Sequence, residues 1–175
     1  MADYPAHLRR ERRLGDGRTV VIRPMRHEDA ALEREFLAGL SEEALYLRFM
    51  KWVKVPNERL VNFLTDVDYD RHMAFACTVA GESGERLVGQ ARYLINPDGK
   101  SCEFSIVIAD AWHRTGIAGL LMEALLRAAR ERGLARMEGI ILRNNRSMAR
   151  FVRALGFEVA PSAEDPTLAR VAKTL

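Results

Sequence analysis

Two periodicities meet near the middle of the chain. Residues 103–109, EFSIVIA, are rich in β-branched and apolar side chains and read as a buried strand. Residues 116–132 place Ile117, Leu120, Leu121, Ala124, Leu125 and Ala128 at the i, i+3, i+4, i+7 spacing of an amphipathic helix. A polar turn, 110–115, separates them, and the helix opens on the small residues Gly116, Ala118 and Gly119. A strand, a glycine-containing turn and a helix start gather free backbone N–H groups at the positive end of a helix dipole. That is the local structure of an anion site, with phosphate the usual anion, and equally of an ordinary strand-to-helix connection. The segment alone does not separate the two.

The same reading extends to both sides. After a Gly15-Asp16-Gly17 turn, residues 18–23 (RTVVIR) predict a strand that Pro24 ends. His27-Glu28-Asp29 puts acids at the start of a helix reaching about Gly39. Ser41 reads as a second N-cap, followed by Glu42 and Glu43. The helix behind it, 44–50, carries Leu45, Tyr46, Leu47, Phe49 and Met50 and is apolar nearly all round, so it should be sandwiched or line a cleft. Residues 51–56 form a basic linker containing Trp52, and Pro56-Asn57 opens a short helix through Phe63. Strands at 72–80, 86–95 and 103–109 follow one another through short turns and should be antiparallel. After Gly133, the apolar run 134–142 should lie parallel to 103–109, since a helix crosses between them. Asn144-Asn145 caps a further helix with Met148, Phe151, Val152 and Leu155 inside, and 157–160 and 168–175 close the sheet.

This order predicts an α+β, three-layer α/β domain. Its sheet is mixed and mostly antiparallel, with a central parallel strand pair and helices on both faces. The ligand crevice should open at the C-terminal end of the 103–109 strand. Residues 1–14 read as a polar lead-in and 15–175 as one domain.

Composition narrows the class. Apolar residues make up 48% and charged residues 29% of 175, the profile of a soluble globular protein. A net charge of +3 with both signs spread along the chain argues against nucleic acid as a partner. The run Arg9-Arg10-Glu11-Arg12-Arg13 is read as a solvated lead-in in preference to a nucleic-acid arm, because it is short and broken by Glu11. Cys77 and Cys102 fall inside predicted strands, so reduced buried thiols, no disulfide framework and no metal site are expected. No apolar run spans a membrane and no signal peptide opens the chain, so a cytoplasmic location is expected. The acidic loop Asp66-Val67-Asp68-Tyr69-Asp70 lacks the glycine and distal glutamate of a calcium loop. It is either a solvated loop or an attractor for a cationic substrate.

Two segments together carry a resemblance. His113-Arg114-Thr115-Gly116-Ile117-Ala118 resembles the Q/R-x-x-G-x-G/A signature of the GNAT superfamily of acyl-CoA-dependent N-acetyltransferases, with His113 standing where Gln or Arg is usual. NRSMARFVRALGF, 145–157, resembles its second signature, an Asn-headed helix ending in Gly-Phe. In the N-terminal half IRPMRHEDA, LSEEALYLRF and LTDVDYDRHMAFA look like the acetyltransferase domain of bacterial Pat-type protein lysine acetyltransferases. The likeness covers roughly 17–160. In long family members that domain follows an acyl-CoA-synthetase-like region, so this chain is expected as the stand-alone form.

The resemblance implies acetyl-CoA as cosubstrate and no metal. The pyrophosphate would rest on the N–H groups of Arg114, Thr115, Gly116, Ile117, Ala118 and Gly119, with His113 beside them. The pantetheine would pair with the backbone of Ile106, Val107 and Ile108, and Asn145 would sit by its arm. The acceptor is the harder problem. A lysine of pKa ~10.4 costs about 4.6 kcal/mol to deprotonate at neutral pH. Glu103, an acid inside an apolar strand, is the candidate general base, matching the family glutamate; the plain alternative is an outward-facing Glu at the strand's solvent edge. The general-acid tyrosine of many GNAT enzymes is replaced by Val152, as in the Pat-type pattern. Tyr46, Phe49, Trp52, Asp68 and Tyr69 are candidates for the acceptor cleft. His72 reads as a hydrogen-bonded structural residue. The expected activity is acetyl transfer to a protein lysine or to a small amine; a catalytically weak CoA-binding module is the competing class, and a homodimer is left open.

Overall fold

The structure, a computed structural model, describes residues 2–54 and 57–175. Eight strands form one sheet in the order β1-β2-β3-β4-β5-β6-β8-β7. They are β1 (Arg10–Arg13), β2 (Thr19–Pro24), β3 (His72–Gly81), β4 (Gly84–Ile95), β5 (Ser101–Ile108), β6 (Arg136–Leu142), β7 (Glu158–Pro161) and β8 (Leu168–Thr174). Every neighbouring pair is antiparallel except β5 and β6. The helices are α1 (Ala30–Gly39), α2 (Glu42–Phe49), α3 (Glu58–Thr65), α4 (Ile117–Glu131) and α5 (Arg146–Ala154). The mixed three-layer arrangement expected from the chain is the one observed.

The period of two along the strands sorts the core into two layers. Met73, Phe75 and Cys77 of β3 and Val88, Ala91 and Tyr93 of β4 face α4, packing with Ile117, Leu121, Leu125 and Ala129. Ala74 and Ala76 of β3 face the other way, with Phe36 and Leu37 of α1, Leu45 of α2 and Val61 and Leu64 of α3. The alanines leave room for helices to sit close to the sheet. Cys77 and Cys102 are free and buried, and burial pushes both thiols up to about 12.

Residues 1–14 are more than a lead-in. Arg10–Arg13 is an edge strand paired with β2, Leu14 enters the core, and the Tyr4 hydroxyl donates to the Pro24 carbonyl. Charged side chains are the usual composition of a sheet edge that must not pair further, and this explains a strand with no apolar face. The α3 start occurs at Asn57, whose side chain accepts from the Leu60 N–H; Pro56 lies outside the described residues.

Two buried polar groupings hold the α1–α3 layer to the sheet. Arg23, on β2, forks onto both Asp29 oxygens at 2.8 Å and reaches Glu85 in the β3–β4 hairpin at 2.9 Å. Asp29 is held below the usual carboxylate range by this guanidinium and by the Arg26 N–H, against the upward push of burial. The second grouping lies beneath α1. Gln90 donates to Glu33 at 2.6 Å, and Arg92 donates to Gln90, to the Leu64 carbonyl and to His72. Burial, reinforced by repulsion from Arg92, pushes His72 down to about 4, so it stays neutral and accepts from Arg92. This is the structural histidine expected from the sequence.

Asp29→Ala leaves Arg23 short of its main buried partner and should cost about 3–5 kcal/mol, read as a fall in the urea midpoint. His72 resists a proton that the unfolded chain takes up below about 6.5, so its neutral form stabilises the fold fully above that pH. This contribution is lost as pH falls towards 4. Wild type should therefore lose about 2–3 kcal/mol more than His72→Gln between pH 6.5 and 4.5 in urea titrations. Equal losses in the two proteins would refute the assignment.

Candidate active site

The central parallel pair is a fork. β5 and β6 are in register only at Ser101↔Arg136, Cys102↔Met137 and Glu103↔Glu138. Beyond that rung β6 continues against β8 up to Leu142, and β5 continues against β4 up to Ile108. The open edge of β5, residues 104–108, runs for about 16 Å at a strand's rise per residue. Its direction is set at both ends. The Lys100 carbonyl accepts from the Ala135 N–H on the β6 side, while the Ala109 N–H donates to Val88 on the β4 side. Backbone direction alternates along a strand, so Phe104, Ile106 and Ile108 present their N–H and C=O groups to the gap.

This refines the expected pantetheine contact. Ile106 and Ile108 face the gap, but Val107 is turned towards β4, opposite Gln90, and its side chain packs in the α1–α3 layer. The His113 ring nitrogen lies 3.1 Å from the Ile108 carbonyl and closes the top of the edge. The unusual first residue of the signature therefore has a local partner. At the foot of the gap the Phe104 ring leans against Gly139; a Cβ there would meet the ring at 2.8 Å.

Above the fork the turn is built as the sequence implied. A short 3-10 turn, Asp110–Trp112, leads into Gly116, the N-cap of α4, at φ 94°. Arg114 is also left-handed at φ 61°. The first helical bond is that of Leu120 to the Gly116 carbonyl. Among the described residues, the N–H groups of Arg114, Thr115, Gly116, Ile117, Ala118 and Gly119 meet no protein acceptor. A Cβ at Gly119 would touch no protein atom, so glycine there leaves space beside the N–H groups rather than accommodating a neighbour. Unpaired donors, a helix dipole and the Arg114 charge in one place suit a pyrophosphate. The open β5 edge below suits an extended amide-containing arm.

Glu103 occupies the last paired rung, where the strands part, and its side chain is exposed. It shares the α1–α3 face with Ser105 and Val107, as alternation required. Two charged neighbours went unnoticed in the sequence. Glu138, its register partner, lies on the same face, accepting from Asn96 at 3.0 Å and lying 3.4 Å from Arg136. Arg48, on α2, is pushed down to about 10 by burial, while Glu33 and Glu103 pull it back. Its guanidinium lies 4.7 Å over the Phe49 ring. Both signals were available: an acid within an apolar run at 134–142 and a cation within an apolar helix at 44–50.

Helix α2 lies against β5 and is half-exposed rather than sandwiched. Tyr46 and Trp52 pack with ring centroids 4.8 Å apart, and Trp52 is 73% exposed. Leu94, opposite Glu103, and Phe63, stacked on His72, extend an apolar rim. Asp68 and Tyr69 do not join it. One Asp68 oxygen accepts from the N–H groups of Asp70, Arg71 and His72, and the Tyr69 hydroxyl donates to the Met25 carbonyl at 2.7 Å. One oxygen of Asp68 thus turns the chain, and Asp70 pairs with Arg132 at the end of α4. Asn145 stands beyond the end of β6, on the opposite bank of the fork, where its oxygen caps α5 through the Met148 N–H. Val152 is fully buried in the α4–α5 layer, which accounts for its identity by packing.

Comparison with known proteins agrees with this geometry. The model of the acetyltransferase (GNAT) family matches residues 34–157. The chain is 36% identical over 154 residues to acetyltransferase PA5475 of Pseudomonas aeruginosa, covering 88% of this chain and 83% of that protein. It is 28% identical over 141 residues to acetyltransferase Pat of Mycolicibacterium smegmatis, covering 80% of this chain but only 41% of that longer protein. The GNAT domain of S. lividans PAT superposes with a TM-score of 0.90 at 28% identity, covering 99% of this chain and 100% of that one. Acetyl-CoA-dependent acyl transfer is general to the family that these matches define. With the forked sheet, the free N–H groups of the α4 turn and a family match over most of its length, the chain belongs to the GNAT family of acetyltransferases.

Proposed function

We propose that the protein transfers the acetyl group of acetyl-CoA to the side-chain amine of a protein lysine, by direct attack with Glu103 as general base. The observation that carries this reading is the position of Glu103: an exposed carboxylate on the rung where β5 and β6 part. An acyl-pantetheine laid along the β5 edge ends at that rung. The Ile106 N–H faces the gap and can polarise the thioester carbonyl. Glu103 faces the α2 side, from which an amine can approach, and takes the proton that the ammonium must lose. The freed thiolate, with a pKa near that of a free thiol, about 8.5, leaves without a dedicated acid.

A protein acceptor is favoured over a small amine by the openness of the rim. Leu94, opposite Glu103, is 39% exposed, Phe63, stacked on His72, 50%, and Trp52, packed on Tyr46 of α2, 73%, so large apolar side chains on this face stand open to solvent. Such a surface suits a side chain presented by another polypeptide. The likeness to the Pat-type domains in sequence and fold points the same way.

Glu103→Gln should lower kcat/KM by about 10²–10⁴, the usual range for losing a general base, while calorimetric binding of acetyl-CoA stays unchanged. Turnover equal to wild type would remove Glu103 from the mechanism. Gly119→Leu should fold with equal or slightly higher stability, since leucine exceeds glycine in helix propensity by about 0.5–1 kcal/mol. Its Kd for CoA should nevertheless rise about tenfold or more, because the side chain takes the phosphate's space. Unimpaired binding would place the pyrophosphate elsewhere.

A further inference from the structure

Helix α2, the acceptor wall, is less deeply buried than the strands beside it: Leu45 is its one fully buried side chain, with Ala44, Arg48 and Phe49 partly covered. Among the described residues, its side-chain hydrogen bonds to another element all run through its N-cap to a single carboxylate. The Ser41 N–H donates to Asp110 Oδ2 at 3.0 Å, and the Ser41 hydroxyl donates to Oδ1, also at 3.0 Å. The same hydroxyl oxygen accepts the Ala44 N–H at 3.1 Å, so capping and tethering share one atom. A carboxylate set at a helix start is further favoured by the dipole.

Asp110 lies on a stiff segment. The preceding Ala109 N–H is bonded to Val88 on β4, the Trp112 N–H returns to the Ala109 carbonyl at 2.8 Å, and the Thr115 hydroxyl donates to the Trp112 carbonyl at 2.7 Å. The next residues, 114–119, are those whose N–H groups stand free. One carboxylate, 69 residues away from its partner in sequence, thus links the start of α2 to the 3-10 turn that leads into the phosphate turn.

We infer that Asp110 is a positioning residue that couples the cofactor seat to the acceptor wall: a CoA seated on the 114–119 turn steadies α2 through Ser41. The inference rests on the reading of that turn as the CoA site. Seating the phosphates orders the turn, and the bidentate bond passes that order to a helix that has, among the described residues, no other side-chain hydrogen bond to another element. By linkage, an acceptor that orders α2 tightens CoA binding by the same factor. The acceptor surface is then set when the acyl group is in place.

Hydrogen exchange read by mass spectrometry on the full chain, with and without saturating CoA, tests this. In wild type, CoA should slow exchange across 113–120 and also, about tenfold, across 42–50. In Asp110→Ala the protection of 113–120 should persist and that of 42–50 should disappear. Asp110→Asn, which keeps one carbonyl oxygen, should retain part of it. Unchanged exchange in β3 serves as the check that each variant is folded. Ser41→Ala loses the cap and the hydroxyl half of the tether but keeps its N–H bond to Asp110, so the step from Ser41→Ala to the Ser41→Ala/Asp110→Ala double variant reads what that remaining bond carries. The double variant should lose whatever CoA-induced protection of 42–50 survives in Ser41→Ala. Protection of 113–120 without any change across 42–50 in wild type, or protection of 42–50 surviving in Asp110→Ala, overturns the coupling while leaving the CoA site intact. No protection at 113–120 overturns both.

Discussion

The structure depends on a parallel strand pair that stops pairing. Three rungs join β5 to β6, and then each strand is kept by its other neighbour: β5 by β4 from Cys102 to Ile108, β6 by β8 up to Leu142. Backbone N–H and C=O groups need partners, and a strand edge left open inside a sheet invites one from outside. The Phe104 ring against Gly139 fills the foot of the opening, and His113 covers the Ile108 carbonyl at its top. What remains in between is a length of edge centred on Ile106, capped by a helix start with free donors. An extended, amide-bearing thioester ending in a pyrophosphate is complementary to that sequence of features. Glu103 stands on the last paired rung, at the foot of that open edge.

The opposite strand partner, β4, has to stay in place for the fork to exist, and its buried polar side chains show how. Gln90 and Arg92 point into the layer below α1 and α3, where an apolar residue would be ordinary. There they meet Glu33, His72 and the Leu64 carbonyl. Burial raises the proton affinity of Glu33, while Arg92 opposes that rise. Buried charges without partners are costly, so each member restricts the others. Arg23, Asp29 and Glu85 do the same between β2, the start of α1 and the β3–β4 hairpin. The sheet is thereby braced behind the fork, while α2, in front of it, is held by Leu45, by the partly buried Ala44, Arg48 and Phe49, and by the Ser41–Asp110 bonds.

Much of this was legible along the chain, and the reasons differ by element. α4 shows its apolar stripe at helical spacing, and β3, β4 and β5 are short runs with apolar centres bounded by turn residues, so local pattern was enough for them. The edge strand β1 was missed because it has no apolar face: Arg10–Arg13 is strand only through its pairing with β2. Asp68 and Tyr69 looked available for a substrate because sequence shows their chemistry and hides their partners. Three backbone N–H groups occupy one Asp68 oxygen, and the Tyr69 hydroxyl is bonded to the Met25 carbonyl. Glu138 and Arg48 were passed over for the opposite reason, each hidden in an apolar stretch whose pattern dominated the reading.

By itself the amino-acid sequence determined the element order from β2 onward, the crossover that makes one strand pair parallel, the glycine turn at the head of α4 and the presence of an acid within β5. These are local properties, set by spacing, propensity and the handedness of the connection. Only the tertiary structure decided where β5 and β6 part. It also decided which alternate backbone groups face the gap, that Glu138 stands beside Glu103, and that Asp110 holds Ser41. Register and the meeting of residues distant in sequence arise from packing two helical layers on one sheet, and no window of the chain contains both sides of that contact.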